Sequence, residues 1–192
     1  MFSRLYFMFR NALIMAGVDL YLRTEDRRIL EQVIFPYLIA DSGLRRILSV
    51  GCDWYTRGYN SKFSGKDEYW TMDILPEQRR YGARRHICDS VVTIGRHFLP
   101  SSLDLIICNG VFGWGLNERQ DVEKAFAGAH LSLRAGGILL VGWNDVPEHK
   151  PFPLEQIESL QLFQPYVFPP LKEACFQTAT DNRHTYNFYR KQ

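Results

Sequence analysis

Between residues 45 and 144 the chain alternates short apolar runs with helical patterns, and this alternation constrains the fold more than any other feature. Ile47 to Gly51 reads as a buried strand, Glu68 to Asp73 as a second, Arg85 to Asp89 as a short third and Leu103 to Asn109 as a fourth. A helix is predicted from about Glu118 to Arg134, with Val122, Phe126, Ala129 and Leu133 on one face. Gly136-Gly137 ends it and launches a fifth strand, Ile138 to Trp143. Strands that are apolar on both faces and separated by helices predict a parallel sheet covered on each side. The C-terminal part behaves differently. Ala174 to Thr180 and His184 to Arg190 are strand-like and flank Asp181-Asn182-Arg183, which predicts an antiparallel hairpin.

Ahead of this core, Thr24 is suited to cap a helix through about Ala40. Ile29, Val33 and Tyr37 form its inner face, while Glu25, Asp26, Arg27 and Arg28 occupy an exposed first turn. Residues 1–22 are apolar and aromatic, but Arg4, Arg10 and Asn11 break the run, leaving it too short to span a bilayer. A leading helix that packs on the domain is expected, with membrane contact as the lesser reading. The 192 residues suit one domain: a helical cap over 1–40, a ligand-binding core over 45–144, and an acceptor-side segment with the hairpin over 145–192. The net charge of +2 is scattered, so no nucleic-acid partner is expected. Cys52, Cys88, Cys108 and Cys175 form no CxxC pair and have no His at zinc spacing. They read as reduced thiols of a cytoplasmic protein without a metal site, the first three as small buried side chains near strand ends.

In a parallel sheet of this kind ligands bind beyond the carboxyl ends of the strands, so the residues just after each strand matter most. Gly51 follows the first strand, where the absence of a side chain lets a ligand approach the backbone. Asp73 ends the second, at a spacing that suits a carboxylate accepting both hydroxyls of a ribose. Asp89 ends the third, and Asn109-Gly110 ends the fourth. Each has a plain alternative, a turn glycine or a helix N-cap. Their occurrence together, in order and each at a strand end, is harder to assign to chance.

With these residues the run from about Arg45 to Asn144 resembles the core of the class I S-adenosylmethionine-dependent methyltransferases. The resemblance implies a Rossmann-like three-layer α/β sandwich with a mostly parallel seven-stranded sheet ending in the hairpin, S-adenosylmethionine as cofactor, and methyl transfer as the reaction. It makes Ile47 to Gly58 the first motif, near the methionine end of the cofactor, with Gly51, Cys52 and Asp53 in contact. It puts Asp73 on the ribose, Ile74 on the adenine face, Asp89 and Ser90 on the adenine edge, and Asn109 and Gly110 beside the reacting centre. Asp104 to Asn109 is the fourth motif, and Leu133-Arg134-Ala135-Gly136-Gly137 is the family's Leu-basic-x-Gly-Gly signature. One departure stands out. Where the family reads Gly-x-Gly-x-Gly, this chain reads Gly51-Cys52-Asp53-Trp54-Tyr55-Thr56-Arg57-Gly58. Three readings follow: altered cofactor binding, with Arg57 or Tyr55 on the methionine carboxylate; a different nucleoside-like ligand; or a non-catalytic domain serving as a partner subunit or homodimer. The loop also lacks the Gly-x-Gly-x-x-Gly pattern of a dinucleotide site.

A general base helps when the methyl acceptor is a hydroxyl or a protonated amine. Asp145 and His149 follow the fifth strand and His184 opens the last, so these three are expected on the ligand side; solvated loop residues are the competing reading. His86, His97 and His130 are expected on the opposite side. Phe112 and Trp114, with Trp143 and the Pro- and aromatic-rich segment after it, are the expected acceptor wall. An apolar, aromatic lining favours a small organic acceptor, methylated on O, N or C.

Overall fold

The computed structural model describes residues 8–10, 12–14 and 16–192. Among the described residues eight strands form one sheet: β1 (Arg46–Val50), β2 (Glu68–Asp73), β3 (Arg85–Cys88), β4 (Leu103–Asn109), β5 (Leu133–Asn144), β6 (Gln164–Pro165), β7 (Cys175–Gln177) and β8 (His184–Arg190). Their order is β3-β2-β1-β4-β5-β8-β6, with β7 also paired to β8. β1 to β5 are parallel, and β8 is antiparallel to β5, β6 and β7. The chain has the expected α/β fold, a mostly parallel sheet ending in an antiparallel hairpin. The count exceeds the expected seven because two short pieces share the far edge of β8: Gln164 pairs with Arg190 and Cys175 with Asn187. β7 stops at Gln177, short of the expected Thr180, because the Thr178 hydroxyl turns back to the carbonyl of His184.

Successive residues of each strand face opposite sides of the sheet, and each side has its own apolar layer. On one side Leu48, Ile106 and Leu139 pack under Val122, Phe126 and Ala129 of helix α3 (Arg119–Ser132). On the other, Ile47, Leu105 and Leu140 pack under Leu30, Ile34 and Leu38 of helix α1. Helix α1 runs through Glu25–Ile29, a π-helical turn Leu30–Ile34, and Phe35–Ala40. That wider turn shifts the buried stripe to Leu30, Ile34, Phe35 and Leu38, leaving Val33 half-buried and Tyr37 exposed, contrary to the expected inner face. Arg27 falls on the buried stripe as well. Of the other connections, helix α2 (Tyr59–Lys62) is one turn, and Pro76–Tyr81 and Val91–Arg96 are 3₁₀ turns. Only α3 is a full-length crossover helix. It ends two residues before Arg134, since Leu133 already pairs with Leu103 and opens β5.

The Leu-basic-x-Gly-Gly run has a mechanical role at the amino ends of the strands. Asp104 Oδ2 accepts the backbone N–H groups of Arg45 and Arg46 at 2.9 and 2.7 Å, and Oδ1 accepts Arg134 Nε at 2.5 Å. Arg134 also donates to the carbonyl of Gly43 at 3.1 Å. The carboxylate thereby joins the starts of β1, β4 and β5 and sets the register in which their far ends meet.

Within the apolar run at 1–22, residues 1–7, 11 and 15 lie outside the described residues; Ile14 packs with Cys52 and Tyr81, beside Leu20 and Trp54. No described helix is long and apolar enough to cross a membrane. Cys52 and Cys108 are buried, whereas Cys88, expected buried, is exposed because β3 is an edge strand.

Candidate functional site

A cleft of about 500 Å³ opens along the carboxyl ends of β1 to β5, closed on one side by the start of α1 and on another by the β7–β8 turn. Its floor is set by Gly51, whose φ of +87° suits glycine and whose Cβ would stand 3.1 Å from Val111 Cγ2. Asp73 fixes the next peptide: Oδ2 accepts the N–H of Cys52 at 2.7 Å, and Oδ1 accepts that of Leu75 at 2.9 Å. The carboxylate is thus oriented by two backbone donors while its remaining lone pairs face the cleft it lines.

The departing loop closes on itself. Asp53 N–H donates to Thr56 Oγ1 at 3.0 Å, and Asp53 Oδ1 accepts the N–H of Trp54 at 2.6 Å. Trp54 packs beside Ile14 and Cys52, away from the cleft, while Tyr55 lines it beneath the Arg27 guanidinium, 4.5 Å from its ring centre. Arg57 is not in the cleft. It holds the carbonyls of Ile14 and Val18 at 3.1 and 3.4 Å and lies 3.5 Å from Asp19.

At the β3 end, Asp89 Oδ1 accepts the N–H of Ser90 at 2.7 Å and Oδ2 lies 2.8 Å from His97 Nε2. The hydrogen bond to His97, with those to Thr93 and Ser90, holds the Asp89 carboxyl down at about 2. His97 therefore sits on the cleft side, contrary to expectation, because Val91–Arg96 is a tight 3₁₀ turn that brings the chain straight back. The other two histidines stay off the cleft: His86 Nδ1 is 2.9 Å from Thr71 Oγ1 and His130 packs edge-on against Phe163.

At the other end His184, only 5% exposed, lies between two amides, Nδ1 at 2.6 Å from Asn144 and Nε2 at 3.0 Å from Asn109. Burial, with Arg27 nearby and against the pull of Asp26, lowers its pKa to about 4. A neutral imidazole donates from one nitrogen only, so one amide faces it through oxygen and the other through NH₂. Gly142 makes the room: a Cβ there would strike the Asn109 amide and stand 3.1 Å from His184 Nε2.

The cleft thus gathers Gly51, Cys52, Asp53, Tyr55, Asp73, Ile74, Asp89, Ser90, Asn109, Gly110, Trp114 and His184, and leaves out Arg57, Phe112, Trp143, Asp145 and His149. Phe112 and Trp143 are core residues packed edge to face, with Trp143 Nε1 donating to Asn187. Asp145 pairs with Lys150 at 2.8 Å and Arg183 at 3.4 Å; the Lys150 hydrogen bond in particular holds its carboxyl below the usual range. His149 is stacked under Trp114, ring centres 3.8 Å apart. Trp114 is 56% exposed at the mouth, and Ile74 65%. Arg27, Gln78 and Asn144 also line the cleft, none of them anticipated. Arg27 was legible: it lies three, seven and eleven residues before Leu30, Ile34 and Leu38, on their stripe of the helix.

No protein-family model and no curated protein matches the chain. Solved structures do. A TehB-like S-adenosylmethionine-dependent methyltransferase from Corynebacterium glutamicum is 19% identical over 99% of this chain and 98% of that one, with a TM-score of 0.61. The N-methyltransferase NodS from Bradyrhizobium japonicum, solved with S-adenosylhomocysteine, is 15% identical over 88% of this chain and 93% of its own, also at 0.61. The rRNA methyltransferase RsmC of T. thermophilus, in complex with its methyl donor and guanosine, matches at 12% identity over 83% of this chain and 38% of its own, TM-score 0.52. This last likeness overturns the expectation that excluded nucleic acid: the same fold carries a methyltransferase for RNA, and scattered surface charge does not decide the partner. The chain has the fold of the S-adenosylmethionine-dependent methyltransferases.

Proposed function

We propose that the protein catalyses S-adenosylmethionine-dependent methyl transfer to a small organic acceptor. The observation that carries the reading is Asp73: a carboxylate at the end of β2, oriented by the N–H groups of Cys52 and Leu75 and facing a cleft of nucleoside size. The cleft fits such a cofactor in two further respects. Gly51 leaves bare backbone at the floor, and Gln78, which lines the adenine end, has a buried Oε1 with no hydrogen-bond partner among the described residues. An acceptor left unpaired in this way is suited to a ligand N–H.

In this reading Asp73 holds the ribose hydroxyls, Ile74 covers the adenine, and Asp89 and Ser90 meet its edge. Gly51, Cys52, Asp53 and Tyr55 line the methionine end, and Asn109 and Gly110 flank the reacting centre. When bound, the cofactor supplies an activated methyl group, so proximity and alignment are most of what the protein must add. Of the three candidate bases only His184 lines the cleft. Burial keeps it neutral, and its bond to Asn109 orients that amide toward the acceptor. Trp114, Ile74 and Leu75 give the mouth an apolar rim, which supports a small organic acceptor. Unpaired thiols, two of them exposed, support a cytoplasmic setting.

Isothermal titration with S-adenosylmethionine and S-adenosylhomocysteine tests this. Binding in the micromolar range is expected, and Asp73→Ala should weaken it by roughly 100-fold or more, the loss of two charge-assisted hydrogen bonds. Absence of binding by either compound to the unaltered protein would overturn the reading.

A further inference from the structure

Arg27 is the one cationic side chain among the described residues lining the cleft, where Asp26, Asp53, Asp73 and Asp89 also stand. It is 8% exposed, and its only hydrogen bond among the described residues is from Nη1 to the Tyr59 hydroxyl at 3.1 Å. That hydroxyl in turn donates to Glu31 Oε1 at 3.2 Å. Asp26 forms an ion pair with Nε at 3.6 Å, too long for a hydrogen bond, and Tyr55 covers one face of the guanidinium. Most of its N–H donors are therefore left without a hydrogen-bond partner among the described residues, and its one carboxylate neighbour stands at ion-pair distance only, although a buried guanidinium is costly unless it is both paired and hydrogen-bonded. Arg57, the cation expected to serve the cleft, is engaged with Ile14, Val18 and Asp19 instead.

We propose that Arg27 is the anion anchor of the cleft, a planar fork that takes a ligand carboxylate. Two sources have that chemistry: the amino-acid end of the cofactor, which rests on the function proposed above, and a carboxylate carried by the acceptor. A fixed fork suits either, because Tyr59 and the Tyr55 ring hold the guanidinium in place before a ligand arrives.

The test is titration of the unaltered protein, Arg27→Met and Arg27→Lys with S-adenosylhomocysteine and with 5′-methylthioadenosine, which shares the adenosine and the sulfur but has no carboxylate. Thermal protection by benzoate against benzamide is measured alongside. If the anchor serves the cofactor, Arg27→Met weakens S-adenosylhomocysteine by about 10- to 100-fold and leaves methylthioadenosine unchanged, which also reports an intact fold. If it serves the acceptor, both nucleosides are unaffected and the preference for benzoate disappears. Should Arg27→Met fail to fold, Arg27→Lys keeps the charge without the fork, and one of the two carboxylate preferences is expected to fall about 3- to 10-fold. Variants that keep both preferences overturn the proposal. If the unaltered protein binds neither nucleoside, the proposed cofactor fails and the benzoate arm alone decides the anchor.

Discussion

Replacing His184 by Gln should flatten the acid limb of the stability curve. The imidazole is buried between Asn109 and Asn144, and its pKa falls from the ordinary 6.5 to about 4. Between those values the unfolded chain binds a proton that the folded chain does not, so stability falls as pH falls. The contribution is complete above about pH 6.5 and is lost progressively toward pH 4. Integrating the two titrations gives a loss of roughly 2 kcal/mol between pH 7 and pH 5 from this one side chain. For a domain of this size that corresponds to a fall of roughly 4–8 °C in Tm. Gln can still hydrogen-bond both asparagines but cannot titrate. Urea unfolding of both proteins at pH 7, 6 and 5 reads the difference in slope, which cancels the titration of every group they share. Parallel loss of stability, within about 0.5 kcal/mol across that range, would refute the argument that the buried imidazole stays neutral.

Asp104→Asn should cost about 2–4 kcal/mol, because one amide end must then face a donor, either the N–H groups of Arg45 and Arg46 or Arg134 Nε. Burial alone would raise this carboxyl, but the donors from Arg46, Arg134 and Arg45 outweigh it and hold it below the usual range. The advantage over Asn is therefore present above the ordinary carboxylate pKa and shrinks as pH drops below it; a deficit that stayed constant into acid would contradict the account. Gly142→Ala puts a methyl into the Asn109 amide. It is expected to lower Tm by roughly 2–12 °C, from an overpacking cost of about 1–3 kcal/mol. Weakened cofactor binding with an unchanged Tm would show that the amide moves at no cost.

The sheet was legible because burial on both faces leaves a plain mark: β1, β4 and β5 are runs of Ile, Leu and Val bounded by Gly, Asp or Asn. The hairpin was legible from Asp181-Asn182-Arg183. What stayed hidden depended on contacts distant in sequence. Phe112 and Trp143 are aromatic residues beside the strand ends, and nothing local distinguishes a cleft wall from the core position they take. Asp145 and Arg57 stand on the right loops but are taken up by Lys150, Arg183 and Asp19. His97 was misplaced because the tight 3₁₀ turn Val91–Arg96, which the local sequence does not announce, returns it to Asp89. Arg27 was misjudged because charge was taken to mean exposure, although its spacing to Leu30, Ile34 and Leu38 puts it on the buried stripe.

The position of β8 has a consequence for how the protein is made. This strand lies between β5 and the short pieces β6 and β7, yet it is synthesised after all of them. Until it emerges, the long edge of β5 offers unpaired backbone groups and apolar side chains such as Leu139 and Val141 to any neighbouring chain. His184, which reaches back 75 residues to Asn109, arrives with the same strand. A nascent or truncated chain without β8 is therefore both prone to aggregate and without a finished cleft, so quality control that removes the one removes the other.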